Sequence, residues 1–273
     1  MILNEFKHPE EILRERIREE ISRITENFGT SPKCIFLGGP SGAGKSTLIR
    51  KYIPKGFKEI NSDDEYEKLL RRANIGMKQK DFGSEKLSKA AKMQARARKS
   101  TNYRLQHSVE NQIDIIIDGT AASVNPIRKQ KKELEDVGYD TFMILLFVSP
   151  LVSLQRNMMR GDAGGRELQP DIVLRTWRGV RKNIDEYRKL FGNDIVVLNN
   201  NPDDAITDFE KEMIEPFFSK VDRKFKPKTP EERKKRQAQR DKMYKEISDL
   251  AKEIPKTDTR SDLKSQLNRF LRK

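Results

Sequence analysis

One short stretch limits what this chain can fold into. Gly39-Pro40-Ser41-Gly42-Ala43-Gly44-Lys45-Ser46 fits G-x-x-x-x-G-K-[ST]; the apolar run Lys33–Gly38 precedes it, and Ser46–Tyr52 reads as helical. A buried strand, a Gly-rich turn and a helix in this order form a cradle for an anion. The glycines let backbone N–H groups converge, and the helix N-terminus adds about half a positive charge. Lys45 would reach the β- and γ-phosphates of a nucleoside triphosphate, and the Ser46 hydroxyl would ligate Mg²⁺. The cofactor-binding stretch is therefore Gly39 through Thr47, with ATP or GTP and Mg²⁺ as the expected ligands.

The rest of the chain supplies a sheet for this cradle. Short apolar strands are predicted at Lys58–Asn61, Ile113–Asp118, Thr141–Val148 and Asp194–Leu198. Helices are predicted over Ser84 to about Glu110, Pro126–Val137, Leu151–Arg160 and Pro170–Phe191, so strands and helices alternate. Alternation of this kind implies right-handed crossovers, a parallel sheet and helices on both faces. The expected fold is α/β, a three-layer P-loop sandwich over residues 31–201. An amphipathic helix in residues 1–30 precedes it, with Ile12, Leu13, Ile17, Ile21, Ile24 and Phe28 at helical spacing. This helix is an expected contact for an inhibitory partner or a second copy. A helical extension over 202–273 follows, where a helix bearing Ile206, Phe209, Met213 and Phe217 is expected to pack back on the domain.

Charge is concentrated in that extension. Of the 56 Lys+Arg and 42 Asp+Glu in 273 residues, residues 222–273 hold 18 and 9. A basic helix is predicted from Thr229-Pro230-Glu231-Glu232 to before Pro255, carrying Arg233, Lys234, Lys235, Arg236, Arg240, Lys242 and Lys245. A nucleic-acid partner is an expectation for this tail, and a truncation ending at Val221 is expected to leave the nucleotide site intact. Cys34 is the only cysteine, so neither an intrachain disulfide nor a cysteine zinc site can form, and no apolar run approaches the roughly 20 residues that cross a bilayer. These features lead to an expectation of a cytoplasmic protein without a membrane partner.

The chemistry must be set by carboxylates and arginines around the cradle. Asp118, at the end of the most apolar strand, is placed by topology at the carboxyl edge of the sheet, where it would join Ser46 on the metal. Asp63, expected at the end of the second strand, can accept the proton of an attacking hydroxyl, and Asp64 competes for that role. Arg156, Arg160 and Arg166 flank Gly161 and Gly164-Gly165, which suggests a mobile loop carrying guanidinium groups over the phosphates.

Taken with the cradle, Ile60-Asn61-Ser62-Asp63-Asp64, Ile117-Asp118-Gly119-Thr120 and Leu154 to Gly161 resemble the kinase domain of polynucleotide 5′-hydroxyl kinases. Gly164-Gly165-Arg166-Glu167-Leu168-Gln169-Pro170 is similar to the Gly-Gly-His-x-Val-Pro stretch of zeta-toxin kinases, with Arg166 at the His position. The resemblance covers about residues 33–200 and implies a phosphotransferase acting on a hydroxyl. It implies that Asp63 is the general base, that Lys45 and Ser46 hold the triphosphate and Mg²⁺, and that Arg156 and Arg160 act at the transferred phosphate. The implied acceptor is a polynucleotide 5′-hydroxyl in one family and the sugar of UDP-N-acetylglucosamine in the other. A reading from a different class is a nucleic-acid-binding protein that uses the cradle as a nucleotide switch.

Overall fold

The most apolar runs of the sequence become adjacent strands, because burying them on both faces requires a parallel sheet covered by helices. The structure is a computed structural model that describes residues 31–77, 84–201, 229–251 and 255–272. Its strands are β1 (Lys33–Gly38), β2 (Lys58–Asn61), β3 (Ile115–Asp118), β4 (Asp140–Phe147) and β5 (Ile195–Asn199). All pair in parallel in the order β2-β3-β1-β4-β5, as the alternating pattern requires. The central strand β1 pairs Leu37 with Asp118 on one side and with Ile144 on the other. The cradle and Asp118 therefore leave the same sheet edge side by side.

Helices α1 (Lys45–Tyr52), α2 (Ser62–Arg72), α3 (Ser84–Glu110), α4 (Val124–Glu135), α5 (Pro150–Asp162) and α6 (Pro170–Phe191) connect or cover the strands. On one face Trp177, Val180, Ile184, Tyr187 and Phe191 of α6 pack with Leu134 of α4 against Phe36, Met143 and Val197. Trp177 also donates its indole N–H to Val148 O at 2.7 Å, so it is committed to the core.

Two predicted boundaries shift for local reasons. β3 starts at Ile115 because the turn at Gln112 (φ 50°) ties Ile113 N to Ser108 O and receives the Tyr139 hydroxyl at Ile113 O. α4 starts at Val124 with Ser123 at its N-cap, which places Pro126 in the first turn, where its missing N–H costs nothing. The expected helices within residues 1–30 and at Ile206–Phe217 lie outside the described residues.

Beyond the sheet come α7 (Pro230–Ala251), which was anticipated, and α8 (Arg260–Leu271), which was not. Asp258 extends β5 by one bridge, its N–H donating to Val197 O while its carboxylate accepts from Val197 N. Thr259 and Asp262 then form a capping box, and Leu263, Leu267 and Phe270 enter the second core layer with Leu48, Phe142, Ile144 and Val196. Phe270 stacks on Phe142 at 5.0 Å. Truncation at Val221 would remove these side chains from beneath the sheet, so the expectation that it spares the nucleotide site does not hold. α7 is anchored too: Ile247 is buried against Leu151, Leu154, Met158, Val173 and Leu174, and Glu246 pairs with Arg178.

Candidate active site

The cradle is held open from two sides by groups that only glycine leaves room for. Gly42 (φ 75°) and Gly44 (φ 90°) occupy left-handed conformations, and a Cβ would lie 2.8 Å from Arg156 Cβ at the first and 2.5 Å from Asn200 Nδ2 at the second. Ser153, Arg156, Asn157 and Arg160 recur at i, i+3, i+4 and i+7, so one face of α5 meets the loop. Ser153 Oγ donates to Ser41 O at 2.6 Å, Arg156 Nη1 to Gly42 O at 3.0 Å and Ser41 Oγ to Asn157 Oδ1 at 3.3 Å. From the other side Asn200, just past β5, donates to Ala43 O at 2.7 Å and accepts at its own carbonyl from Arg156 Nη2. Arg260 of α8 donates in turn to Asn200 Oδ1, so the C-terminal helix also buttresses the cradle.

A cleft of about 550 Å³ opens over this loop and is lined by Ser41 through Thr47, Asn61, Asp63, Asp64, Asp118, Arg156, Arg160, Arg166 and Asn200, among others. All the candidate catalytic, nucleotide-binding and metal-binding residues except Gly39 and Pro40 thus line one cavity. Lys45 Nζ donates to Gly39 O at 3.1 Å and lies 4.0 Å from Asp118 Oδ1. That oxygen is buried with no hydrogen-bond partner, whereas Asp118 Oδ2 accepts from Asn61 Nδ2 at 2.9 Å. Burial, opposed by Lys45 and assisted by Glu59, Asp63 and Asp64, pushes the Asp118 carboxyl up to about 7.

A buried carboxylate oxygen that faces a phosphate cradle and accepts no hydrogen bond suits a hard divalent cation, with the exposed Ser46 hydroxyl as the second protein donor. Among the described residues no group of three or more His, Cys, Asp or Glu gathers into a metal site. A cation here would complete its shell with phosphate oxygens and water, as Mg²⁺ characteristically does.

The opposite wall is α2, and Asp63 sits in its first turn rather than at the end of β2. Asn61 caps the helix, its Oδ1 accepting from Asp63 N at 2.9 Å and Asp64 N at 3.2 Å. The same Asn61 side chain therefore touches both carboxylate-bearing segments, a link that its position ahead of an acidic run signals in sequence only as a helix cap. Asp63 Oδ2 pairs with Arg166 Nη2 at 2.7 Å, while its side chain stays 54% exposed to the cleft. Arg166 is 6% exposed, reaches toward Glu67 at 3.7 Å and stacks over Tyr66 at 5.6 Å.

The segment after α5 is accordingly stitched down. Arg160 Nε donates to Arg166 O at 2.7 Å, and Asn157 exchanges two hydrogen bonds with the Leu168 backbone. Arg156 and Arg166 thus bind protein groups from both walls instead of projecting from a loose loop, while Arg160 reaches Ser41 Oγ at 3.4 Å. Sequence reasoning missed Asn61 and Asn200, and it missed the i, i+3, i+4, i+7 spacing on α5 that would have aimed those residues at the cradle.

No curated protein matches the sequence. Among solved structures the chain is similar to one from the PezAT chromosomal toxin-antitoxin system of Streptococcus pneumoniae (16% identity, 72% of this chain and 81% of that one, TM-score 0.42). It is also similar to one from the Pnkp1/Rnl/Hen1 RNA repair complex (18% identity, 57% of this chain and 46% of that one, TM-score 0.44). A third is from AvrRxo1-ORF1:-ORF2 with ATP (17% identity, 70% of this chain and 64% of that one, TM-score 0.46). A family model described as Zeta toxin matches residues 15–212, well over half of the chain, and the chain therefore belongs to the zeta toxin family.

Proposed function

We propose that the chain is a P-loop kinase that moves the γ-phosphate of ATP or GTP to a hydroxyl group of its acceptor. The observation that carries this reading is the meeting, in one cleft, of the Lys45 and Asp118 pair with the half-exposed Asp63 carboxylate. Membership of the zeta toxin family supports the kinase class.

In this reading the backbone N–H groups of Gly42 to Ser46 hold the β-phosphate, and Lys45 leaves Gly39 O to reach the β- and γ-phosphates. Asp118 and Ser46 would hold Mg²⁺, which when bound neutralises charge on those phosphates. Asp63 accepts the proton of the acceptor hydroxyl. The oxygen then forms its bond to the γ-phosphorus as the bond to the bridging oxygen breaks, leaving the nucleoside diphosphate. Arg160 lies where it can balance charge on the transferred group, and Arg156 keeps the cradle in shape. Arg166 fixes the Asp63 carboxylate relative to the cleft.

Two acceptors fit the motifs: a polynucleotide 5′-hydroxyl and the sugar hydroxyl of UDP-N-acetylglucosamine. The deciding experiment is a transfer screen with γ-labelled ATP over 5′-hydroxyl DNA, 5′-hydroxyl RNA, nucleosides and UDP-sugars. Label on one acceptor class, abolished by Asp63→Asn, is expected; nucleotide binding with no transfer to any acceptor would favour the nucleotide-switch reading instead. We assign residues 31–201 to the kinase domain and 202–273 to a basic extension whose α8 is part of the domain core.

A further inference from the structure

Solvent-exposed helix faces in this protein normally carry both signs of charge. On α4, Lys129 and Lys131 pair with Glu133 and Glu135, and α7 interleaves Lys234, Lys235 and Lys242 with Glu231, Glu232, Asp241 and Asp249. α3 is different. Between residues 86 and 109 it has no Asp or Glu, yet it carries Lys86, Lys89, Lys92, Arg96, Arg98, Lys99 and Arg104, in a chain that has 42 acidic residues in 273. Its inner face is small and apolar: Ala90, Met93 and Ala97 pack on Tyr66, Leu69 and Leu70 of α2. Arg104 is used structurally, donating to Glu59 O.

Lys89, Lys92, Arg96 and Lys99 follow one another at intervals of three and four residues along one exposed flank, and Tyr103 continues the same line. Among the described residues Lys89 pairs with Glu85, and no carboxylate pairs with Lys92, Arg96 or Lys99. At 1.5 Å per residue the four cations span about 15 Å, a length over which a nucleic-acid strand presents several phosphates. Tyr103 is 69% exposed, which is unusual for so large a ring and wasteful unless a planar group covers it. A row of unneutralised cations ending in an open aromatic face is the combination that holds a single strand, the cations tracking the backbone and the ring stacking a base. An acidic protein would be attracted by the cations but would leave the aromatic ring without a purpose.

We propose that the Lys92, Arg96, Lys99 and Tyr103 flank of α3 binds single-stranded nucleic acid, with Tyr103 as a base-stacking platform. The flank belongs to the helix that packs on α2, whose first turn carries Asp63. Its test reads binding alone and holds or fails independently of the kinase reading.

The experiment is fluorescence anisotropy of a short labelled single-stranded oligonucleotide, DNA and RNA in parallel, titrated with the full chain at several salt concentrations. Replacing Lys92, Arg96 and Lys99 together by Gln is expected to weaken binding about tenfold or more at low salt and to lower the log–log salt slope by about 2, at about 0.7 per cation. Tyr103→Ala is expected to weaken it about fivefold or more with the slope unchanged, and Tyr103→Phe to restore it. These side chains are exposed, and unchanged melting temperatures confirm that the variants are folded. The same replacement at Lys234, Lys235 and Lys242 of α7 should alter binding little. Wild-type affinity in the α3 variant, or loss confined to the α7 variant, would overturn the proposal. So would equal loss of a labelled polyglutamate peptide together with no effect of Tyr103→Ala, which would mark a general anion face suited to an acidic protein.

Discussion

The two walls of the cleft are built on different principles. The cradle wall is a backbone object: its shape comes from Gly42 and Gly44 in left-handed conformations and from hydrogen bonds that α5, Asn200 and, through Asn200, Arg260 make to the loop. The α2 wall is a side-chain object, in which Asp63 depends on Asn61 beneath it and Arg166 beside it. The difference teaches where mutation will be read. Changes at the cradle should act on nucleotide binding, and changes on α2 should act on transfer while leaving nucleotide in place.

The largest effects should separate the walls most cleanly. Lys45→Ala should lower transfer by about 10³-fold and weaken triphosphate binding, since it removes the cation nearest the γ-phosphate. Asp63→Asn should lower transfer by about 10²-fold or more at near-normal nucleotide affinity, as measured by steady-state kinetics beside a binding titration. If Asp64→Asn shows that phenotype instead, the base is the neighbouring residue on the same helix turn.

Effects on stability come next and test whether the C-terminal helix belongs to the cradle wall. Phe270→Ala should destabilise the protein by about 3–5 kcal/mol in denaturant unfolding, because a fully buried ring stacked on Phe142 is lost. Arg260→Ala removes the donor to Asn200 together with two exposed contacts to Tyr52, a hydrogen bond to its hydroxyl at 3.4 Å and a cation–π contact at 5.8 Å. It should leave stability within about 1 kcal/mol and weaken nucleotide binding a few-fold if the buttress shapes the cradle.

A further effect concerns Asp118 and depends on pH. Its carboxyl is pushed up to about 7 in the folded chain, well above its ordinary value near 4, so the folded state holds a proton that the unfolded state has already released. The unfolded state binds fewer protons in that window, and stability therefore falls as pH rises from about 4 to 7. Asp118→Asn, without nucleotide or cation, should be more stable than the parent at pH 8 by about 1–3 kcal/mol and show little difference at pH 4. A cation bound at Asp118 requires the ionised form, so its affinity should climb as pH rises through about 7.

Legibility in the sequence follows the same division as the walls. The cradle and the sheet were readable because glycine spacing and unbroken apolar runs are local signals, and Lys33–Gly38 and Asp118 are placed by strand topology alone. Asp63 was readable as a residue and misplaced as geometry, because whether a short strand ends before or after Asn61 is decided by which side chain caps the next helix. The Arg166 to Asp63 pair spans 103 positions, and no periodicity encodes a contact between two segments that meet only after folding. α8 was hidden by composition: Leu263, Leu267 and Phe270 are three apolar residues in a basic stretch, although Thr259 and Asp262 form a capping box that announces a helix start.

The most direct test of two walls with separate duties is a paired measurement on Asp63→Asn: the equilibrium affinity for a nucleoside triphosphate with Mg²⁺, and the single-turnover rate of label transfer from γ-labelled ATP to the acceptor identified by the screen. The account predicts affinity within about threefold of the parent and a rate at least about 10²-fold lower. Parent-like transfer, or loss of nucleotide binding equal to that of Lys45→Ala, would contradict it.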